Sequence, residues 1–512
     1  MIPSSPFRQR RPSSWSWLQN LAVAALFVVP TLALAQDAGN DTAPAAAAAA
    51  PTKPAIDTGS TAWMLMSAAL VLLMMPGLAL FYGGMVRAKN VLNTFLNVMV
   101  CCGVMGVIWV VIGYALVFPV IDNADGTNKA LISLGSNAYP DPADSTKEVQ
   151  ATVSILGFDP NLIGLGAFGE ANNDDPGASA FNAILTSGDT VGAVPTGVPE
   201  LIFAMFQGMF FIITPALIVG AVAERVRLGP LLVFLVIWSL VVYAPMAHMV
   251  WNVNGYLFQK GVLDFAGGTV VHVLAGVSAL ALTLVVGPRK GFGRVSMPPH
   301  SLGYTLIGAG LLWFGWFGFN AGSAIGIGAA WQPVAGGVAV LAFANTQICA
   351  AAAALAWMLV EWIKDGKPTI LGFASGMVAG LVVITPCAGH VAPMSAIILG
   401  LLGGVVCYFG CQLKKVFKYD DTLDAFGVHG IGGALGAVLV GVFAIRPMGG
   451  TDQVMKQLLG LGIAVVFAFV VSLVLALAIK AVIGLRAKEE DEEEGLDVAL
   501  HGETGYNLSN VL

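Results

Sequence analysis

Charge is what this 512-residue chain has least of. Asp, Glu, Lys and Arg make up 11% of it, against about 25% in a soluble domain. That excludes a string of soluble domains. With 57% hydrophobic residues and a mean hydropathy of +0.81, the chain reads as an all-α polytopic membrane protein surrounded by lipid. A formal charge of −6 and a pI near 5.5 leave no basic surface for nucleic acid. Cysteine is also scarce. Cys101, Cys102, Cys349, Cys387, Cys407 and Cys411 lie in or beside apolar stretches. They are too scattered for a disulfide framework and read as buried packing residues. No metal-ligand cluster, nucleophile constellation or phosphate-binding loop stands in the loops, so no metal, no cofactor and no enzyme activity are expected. What is abundant is glycine, 62 residues, which suits close helix approach in lipid.

The ends differ from the middle. Residues 1–35 have the pattern of a signal peptide: Arg8, Arg10 and Arg11, then an apolar run Leu21–Ala35 ending in Ala33-Leu34-Ala35. Fifteen residues containing Pro30 span a bilayer poorly, since about 20 are needed, and the small-residue ending fits cleavage. Residues 36–57, Ala- and Pro-rich, read as a disordered leader. Residues 58–485 form the membrane domain, with a polar external insertion over 119–198, and 486–512 form an acidic cytoplasmic tail. The tail carries the unbroken run Glu489–Glu494, then Gly, Leu, Val and Tyr506 interleaved in a way that suits docking. The insertion, with ten acids against Lys129 and Lys147, reads as a solvated loop.

Eleven transmembrane helices are predicted, near Thr61–Gly84, Leu92–Phe118, Glu200–Val222, Leu228–Val250, Phe265–Val286, Leu302–Gly322, Val334–Val360, Ile370–Ala388, Met394–Leu413, Leu423–Ala444 and Leu458–Leu485. With the N-terminus periplasmic, an odd count puts the C-terminus in the cytoplasm. The positive-inside rule gives the same orientation. The predicted cytoplasmic connections hold Arg87, Lys89, Arg225, Arg227, Arg289, Lys290, Arg294, Lys364, Lys367, Lys414, Lys415 and Lys418, whereas the short external ones hold Lys260, Arg446 and Lys456.

Two stretches echo each other. Asp264 to His272 opens the fifth span, and Asp424 to His429 opens the tenth. In each, an Asp near a helix start can cap it and complement its dipole, and a His follows inside apolar sequence. Spans one to five and six to ten then form a 5+5 inverted repeat with a final long helix, an architecture that places a substrate path at the repeat interface. At about 1.5 Å per residue, His272 lies roughly 12 Å and His429 roughly 8 Å into its helix. Entering from opposite faces, the two imidazoles can meet mid-membrane. Paired ionisable groups there mark a pathway more than they mark packing.

At this point the chain resembles the Amt/Mep/Rh family of ammonium transporters, on its bacterial Amt branch. The resemblance rests on Pro76–Gly84, Phe206–Phe210, Ala247–Trp251, Asp264–His272, Gly315–Ser323 and Asp424–Gly430. It implies an external site for NH4+ made by Trp251, Ser323 and Phe210, with Trp251 as cation–π partner. It implies a gate of Phe210 and Phe319, a pore with twin histidines His272 and His429, and structural support from Asp264, to which Asp424 is the echo. The expected solute is ammonium, deprotonated and conducted as ammonia. Net charge movement is open. The resemblance also implies a homotrimer in the inner (cytoplasmic) membrane, in contact with membrane lipids. A PII-type regulatory protein would act on the tail through Gly484–Arg486 and Glu494–Val498. Two other readings stand beside this one, a Rh-type gas or methylammonium channel and an ammonium sensor. Trp251 favours the first reading over the Rh type, because an aromatic cage suits a cation. A 27-residue tail leaves no room for an appended signalling domain.

Overall fold

The structure, a computed structural model, describes residues 56–119, 121, 128–141, 144–168, 184–186, 195–324, 335–445 and 449–506. The signal peptide expected at 1–35 and nearly all of the leader expected at 36–57 lie outside these residues. Most of what is described is helical, in eleven apolar helices. They are α1 Thr58–Met85, α2 Ala88–Val117, α3 Glu200–Val222, α4 Leu228–Trp251, α5 Gly268–Val286, α6 Leu302–Gly322, α7 Gly337–Asp365, α8 Ile370–Ile384, α9 Pro393–Phe417, α10 Phe426–Phe443 and α11 Thr451–Val482. Ten of these, among the described residues, are long and apolar enough to cross a membrane. The exception is α8, which has 15 residues. At 1.5 Å per residue it spans about 22 Å of a roughly 30 Å hydrocarbon core, so eleven full-length spans are not reached. The sequence expectation ran on to Ala388, but Pro386 has no N–H to continue a helix. Thr385–His390 instead makes tight turns, with Cys387 N–H donating to Ile384 O at 2.8 Å.

The helices start and stop for local reasons. Asp57 caps α1 by accepting from Ser60 N–H, and Thr369 caps α8 through Gly372 N–H at 2.8 Å. The final helix α11 begins at Thr451, seven residues earlier than hydropathy suggests. Gln453 and Gln457 lie in its first two turns, buried rather than lipid-facing. Gln457 donates to Leu263 O at 2.7 Å and Ala437 O at 2.8 Å, which satisfies an amide that lipid would leave stranded. Four helices contain a π-helical turn: Trp109–Gly113 in α2, Ser239–Tyr243 in α4, Gly268–Val273 in α5 and Phe426–Gly430 in α10. Each such turn inserts an extra residue and re-aims the side chains beyond it, a feature common at functional sites.

The 119–198 insertion is not all loop. Strands β1 Ala130–Asp141 and β2 Asp144–Gly157 form an antiparallel hairpin, a departure from the all-α expectation. It is pinned to the membrane domain through Ser154. The Ser154 N–H donates to Asn254 O at 2.8 Å, and its hydroxyl lies 2.7 Å from His248 Nε2. His248 Nδ1 faces the Val117 carbonyl at 2.8 Å, so that nitrogen carries the proton and Nε2 accepts from Ser154.

Candidate functional site

The two histidines sit on the π-helical turns of α5 and α10. Asp264 prepares the first turn. Its carboxylate accepts from Gly267 N–H at 3.1 Å and from Thr269 and Val270 N–H at 2.9 Å, donors that the start of a helix otherwise leaves orphaned. Gly267 has φ +113°, and a Cβ there would meet Val271 Cγ2 at 2.5 Å, so only glycine makes this entry. At the second turn the capping carboxylate is Asp421, not Asp424. Asp421 accepts from Ala425 N–H at 3.0 Å and Phe426 N–H at 2.8 Å. Asp424 instead has φ +60° and lies with Oδ1 2.7 Å from Lys414 Nζ. The sequence carried a signal for this. Eight positions separate Asp264 from His272, and eight separate Asp421 from His429.

These turns bring the imidazoles together. His272 Nδ1 and His429 Nδ1 are 3.3 Å apart, and the rings stack at 5.3 Å with 22° between planes. Both are buried. One Nδ1 must donate and the other accept, so the donor ring is bare at Nε2 and the acceptor ring carries Nε2–H. The pair therefore offers one acceptor and one donor. Two imidazolium rings would oppose N–H to N–H across this contact, so the geometry holds at most one extra proton. His272 Nε2 has no protein hydrogen-bond partner.

Aromatic rings extend the stack on one side. Phe319 lies 5.9 Å from His272 and nearly parallel to it, at 18°. Phe210 packs on Phe319 at 4.5 Å, and Trp251 stands edge-on to Phe210 at 5.8 Å and 77°. Both Phe rings are buried, whereas Trp251 and Ser323 are half-buried. Trp251 Nε1 donates to Asp264 O at 3.1 Å, which fixes the indole against the loop that caps α5. The Ser323 hydroxyl donates to Phe319 O at 2.9 Å and keeps its lone pairs as acceptors. Phe210, Trp251, Phe319, His272 and His429 thus form one run of contacts, with Ser323 one helical turn beyond Phe319. Sequence reasoning missed Trp316, which stacks on His272 at 5.3 Å and 22° and donates to Thr385 Oγ1 at 3.0 Å. Its position three residues before Phe319 puts it on the same helix face, a signal that was available. Past the Phe pair lies a narrow cavity walled by Leu78, Ile213, Leu312, Trp316 and the two histidines. Among the described residues no group of three or more His, Cys, Asp or Glu could hold a metal ion.

The tail docks across the loops at the opposite end from Trp251. Its helices are Glu489–Glu494 and Leu496–His501. Asp497 caps α2 by accepting from Leu92 N–H at 3.1 Å and Asn93 N–H at 2.8 Å. Leu496 N–H donates to Asn90 Oδ1 at 2.9 Å, and Glu492 pairs with Arg486. Lys290 pairs with Glu489 at 2.6 Å and also with Glu493. Beneath the tail, Arg289 bridges Glu224 at 2.7 Å and Asp420 at 2.9 Å, and Arg87 pairs with Glu224 at 2.9 Å. Burial alone would raise the Glu224 carboxyl, but the Arg87 hydrogen bond and the Arg289 and Arg87 charges outweigh it and hold it below the usual range. Asp420 behaves alike: burial opposes, while the Arg289 hydrogen bond and the Arg225 charge prevail.

The model of the Ammonium Transporter Family matches residues 62–152 and 166–506. An ammonium transporter of Bacillus subtilis is 41% identical over 462 residues, covering 88% of this chain and 99% of the relative. One of Aquifex aeolicus is 41% identical over 465 residues, covering 88% and 94%. The solved structure of Mep2 from Saccharomyces cerevisiae aligns with a TM-score of 0.68 at 30% identity, covering 85% of this chain and 92% of Mep2. A structure titled Sensor Amt Protein aligns at 0.69 and 25% identity, covering 86% and 98%. With the family model matching most of its length, this multi-pass membrane protein belongs to the ammonium transporter family.

Proposed function

We propose that the chain takes up NH4+ at Trp251 and Ser323, strips it of a proton, and passes NH3 between Phe210 and Phe319 and along His272 and His429. The relatives named ammonium transporters support the solute. The observation that carries the mechanism is the 3.3 Å contact of two buried imidazoles behind a phenylalanine stack. An intact NH4+ in such an apolar path loses its water shell without replacement, at several kcal/mol or more. The half-buried indole of Trp251 suits a cation that still keeps part of its water, a pairing worth about 0.5–2 kcal/mol. Neutral NH3 needs one acceptor and one donor, which the imidazole pair supplies. K+ has no proton to lose and meets the full penalty.

The positions of the basic residues support a periplasmic vestibule at Trp251 and a cytoplasmic tail. Family resemblance supports a homotrimer in the inner membrane and action of a PII-type protein on the tail, and the run from Arg8 to Ala35 supports cleavage of residues 1–35. Expression in a strain lacking ammonium transporters tests the proposal. Uptake of radiolabelled methylammonium that ammonium suppresses is the expected result, and uptake no faster than the empty-vector control overturns it. A sensor is the second reading, favoured by the way Asp497 ties the tail to α2. Signalling that persists when transport is lost would support it.

A further inference from the structure

Beyond His429 the path opens into a second, small cavity, which shares Phe81, Val378 and His429 with the first. Its polar wall comes from Tyr82, Ser375 and Asp424, and Trp357 lines it too. Tyr82 is committed, because its hydroxyl donates to Leu217 O at 3.0 Å. Asp424 is not committed in the same way. The capping task that the sequence assigned to it belongs to Asp421, and its left-handed backbone turns the residue out of the helix start.

Its neighbour is Lys414. The ammonium Nζ lies 2.7 Å from Asp424 Oδ1, but the aligned hydrogen bond from Nζ goes to Asp421 O at 3.2 Å, and Oδ1 accepts no aligned hydrogen bond. Asp424 Oδ1 is thus held by one side-chain cation and by no backbone donor. A lysine head group is a primary alkylammonium, the same chemical class as NH4+ and methylammonium. A carboxylate beside an aromatic face at the cytoplasmic mouth would otherwise hold product, and conduction needs sites that release as readily as they bind.

We propose that Asp424 is a second ammonium-binding station, on the far side of the histidines from Trp251, and that the Lys414 ammonium is a tethered competitor that keeps cytoplasmic ammonium from occupying it. The inference rests on the proposed function and assigns the inner mouth a role of its own. If Lys414 leaves the carboxylate free about a tenth of the time, removing it lowers the ammonium concentration that fills the station about tenfold.

The test is rapid-filtration uptake of radiolabelled methylammonium into right-side-out vesicles preloaded with ammonium chloride at mildly acidic pH. Each variant is normalised to its own uptake into ammonium-free vesicles. Lys414→Met and Lys414→Gln are expected to be half-inhibited by about tenfold less internal ammonium than wild type, and Lys414→Arg, which keeps a cation, to stay near wild type. Adding Asp424→Asn to either neutral variant should abolish the extra inhibition. Curves for the Met and Gln variants that superimpose on an active wild type overturn the inference. So does an Asp424→Asn double variant as sensitive as its parent. A wild type whose methylammonium uptake into ammonium-free vesicles is no faster than that of vesicles lacking the protein overturns the proposed function itself, which separates the two failures.

Discussion

Helices α5 and α10 cross at two glycines, and that crossing sets the imidazole contact. A Cβ on Gly276 would stand 2.1 Å from the Gly430 nitrogen and 2.4 Å from its Cα. Both are main-chain atoms of the π-helical turn that carries His429, so no rotamer change relieves the clash. Ordinary carbon contacts begin about 1 Å further out, and Gly276→Ala must separate the helices by about that much. The Nδ1–Nδ1 distance of 3.3 Å then passes about 4 Å, beyond hydrogen-bond range. Overpacking of this size costs about 1–3 kcal/mol. A loss of about 1.4–2.8 kcal/mol at the pore corresponds to roughly 10–100-fold slower uptake. The assay is methylammonium uptake normalised to membrane protein level, with size-exclusion chromatography confirming assembly. Gly310→Ala and Gly462→Ala serve as controls, since a Cβ at either meets nothing within 4 Å. Wild-type uptake and wild-type K+ discrimination by Gly276→Ala would refute the claim that the imidazole contact matters.

Three other outcomes follow from the same contacts. Thr385→Val removes the acceptor of the buried Trp316 N–H and should cost about 1–3 kcal/mol, read as a lower melting temperature in detergent with no new protease site. Asp497→Ala strands the Leu92 and Asn93 N–H groups at the start of α2. It should cost the tail about 0.5–2 kcal/mol and expose it to limited proteolysis while the membrane domain stays intact. Because Glu224 and Asp420 are held below their usual range in the folded protein, they stabilise it above the unfolded carboxylate value, near about 4. That contribution is lost as pH falls through their lowered folded values. Melting temperature measured against pH should fall in that acid window, and Glu224→Gln with Asp420→Asn should flatten the drop.

Much of this was legible in the sequence because lipid makes its demands uniform. Long apolar helices, sparse charge and the His272/His429 echo can each be read off one residue at a time. What was hidden depends on tertiary partners. Asp424 lies nearer to His429 in sequence, yet Asp421 is the cap, because the π-helical turn and the left-handed Asp424 shift the register; equal spacing to the two histidines was the better guide. The start of α11 was set seven residues late because Gln453 and Gln457 look unfit for lipid, and they face buried carbonyls instead. The 130–157 hairpin looked like loop because its Gly, Pro and Asn content masks alternation, and its order comes from Ser154 contacts with His248 and Asn254 that no local pattern announces. Trp316 was lost among 11 tryptophans.

The central claim is that His272 and His429 let the solute cross only after it has left a proton behind. Reconstituted vesicles carrying wild type, His272→Ala or His429→Ala, each challenged with ammonium and with K+, test it directly. The account predicts selective ammonium uptake by wild type and loss of that selective uptake in both variants. Unchanged discrimination between ammonium and K+ in either variant would contradict it.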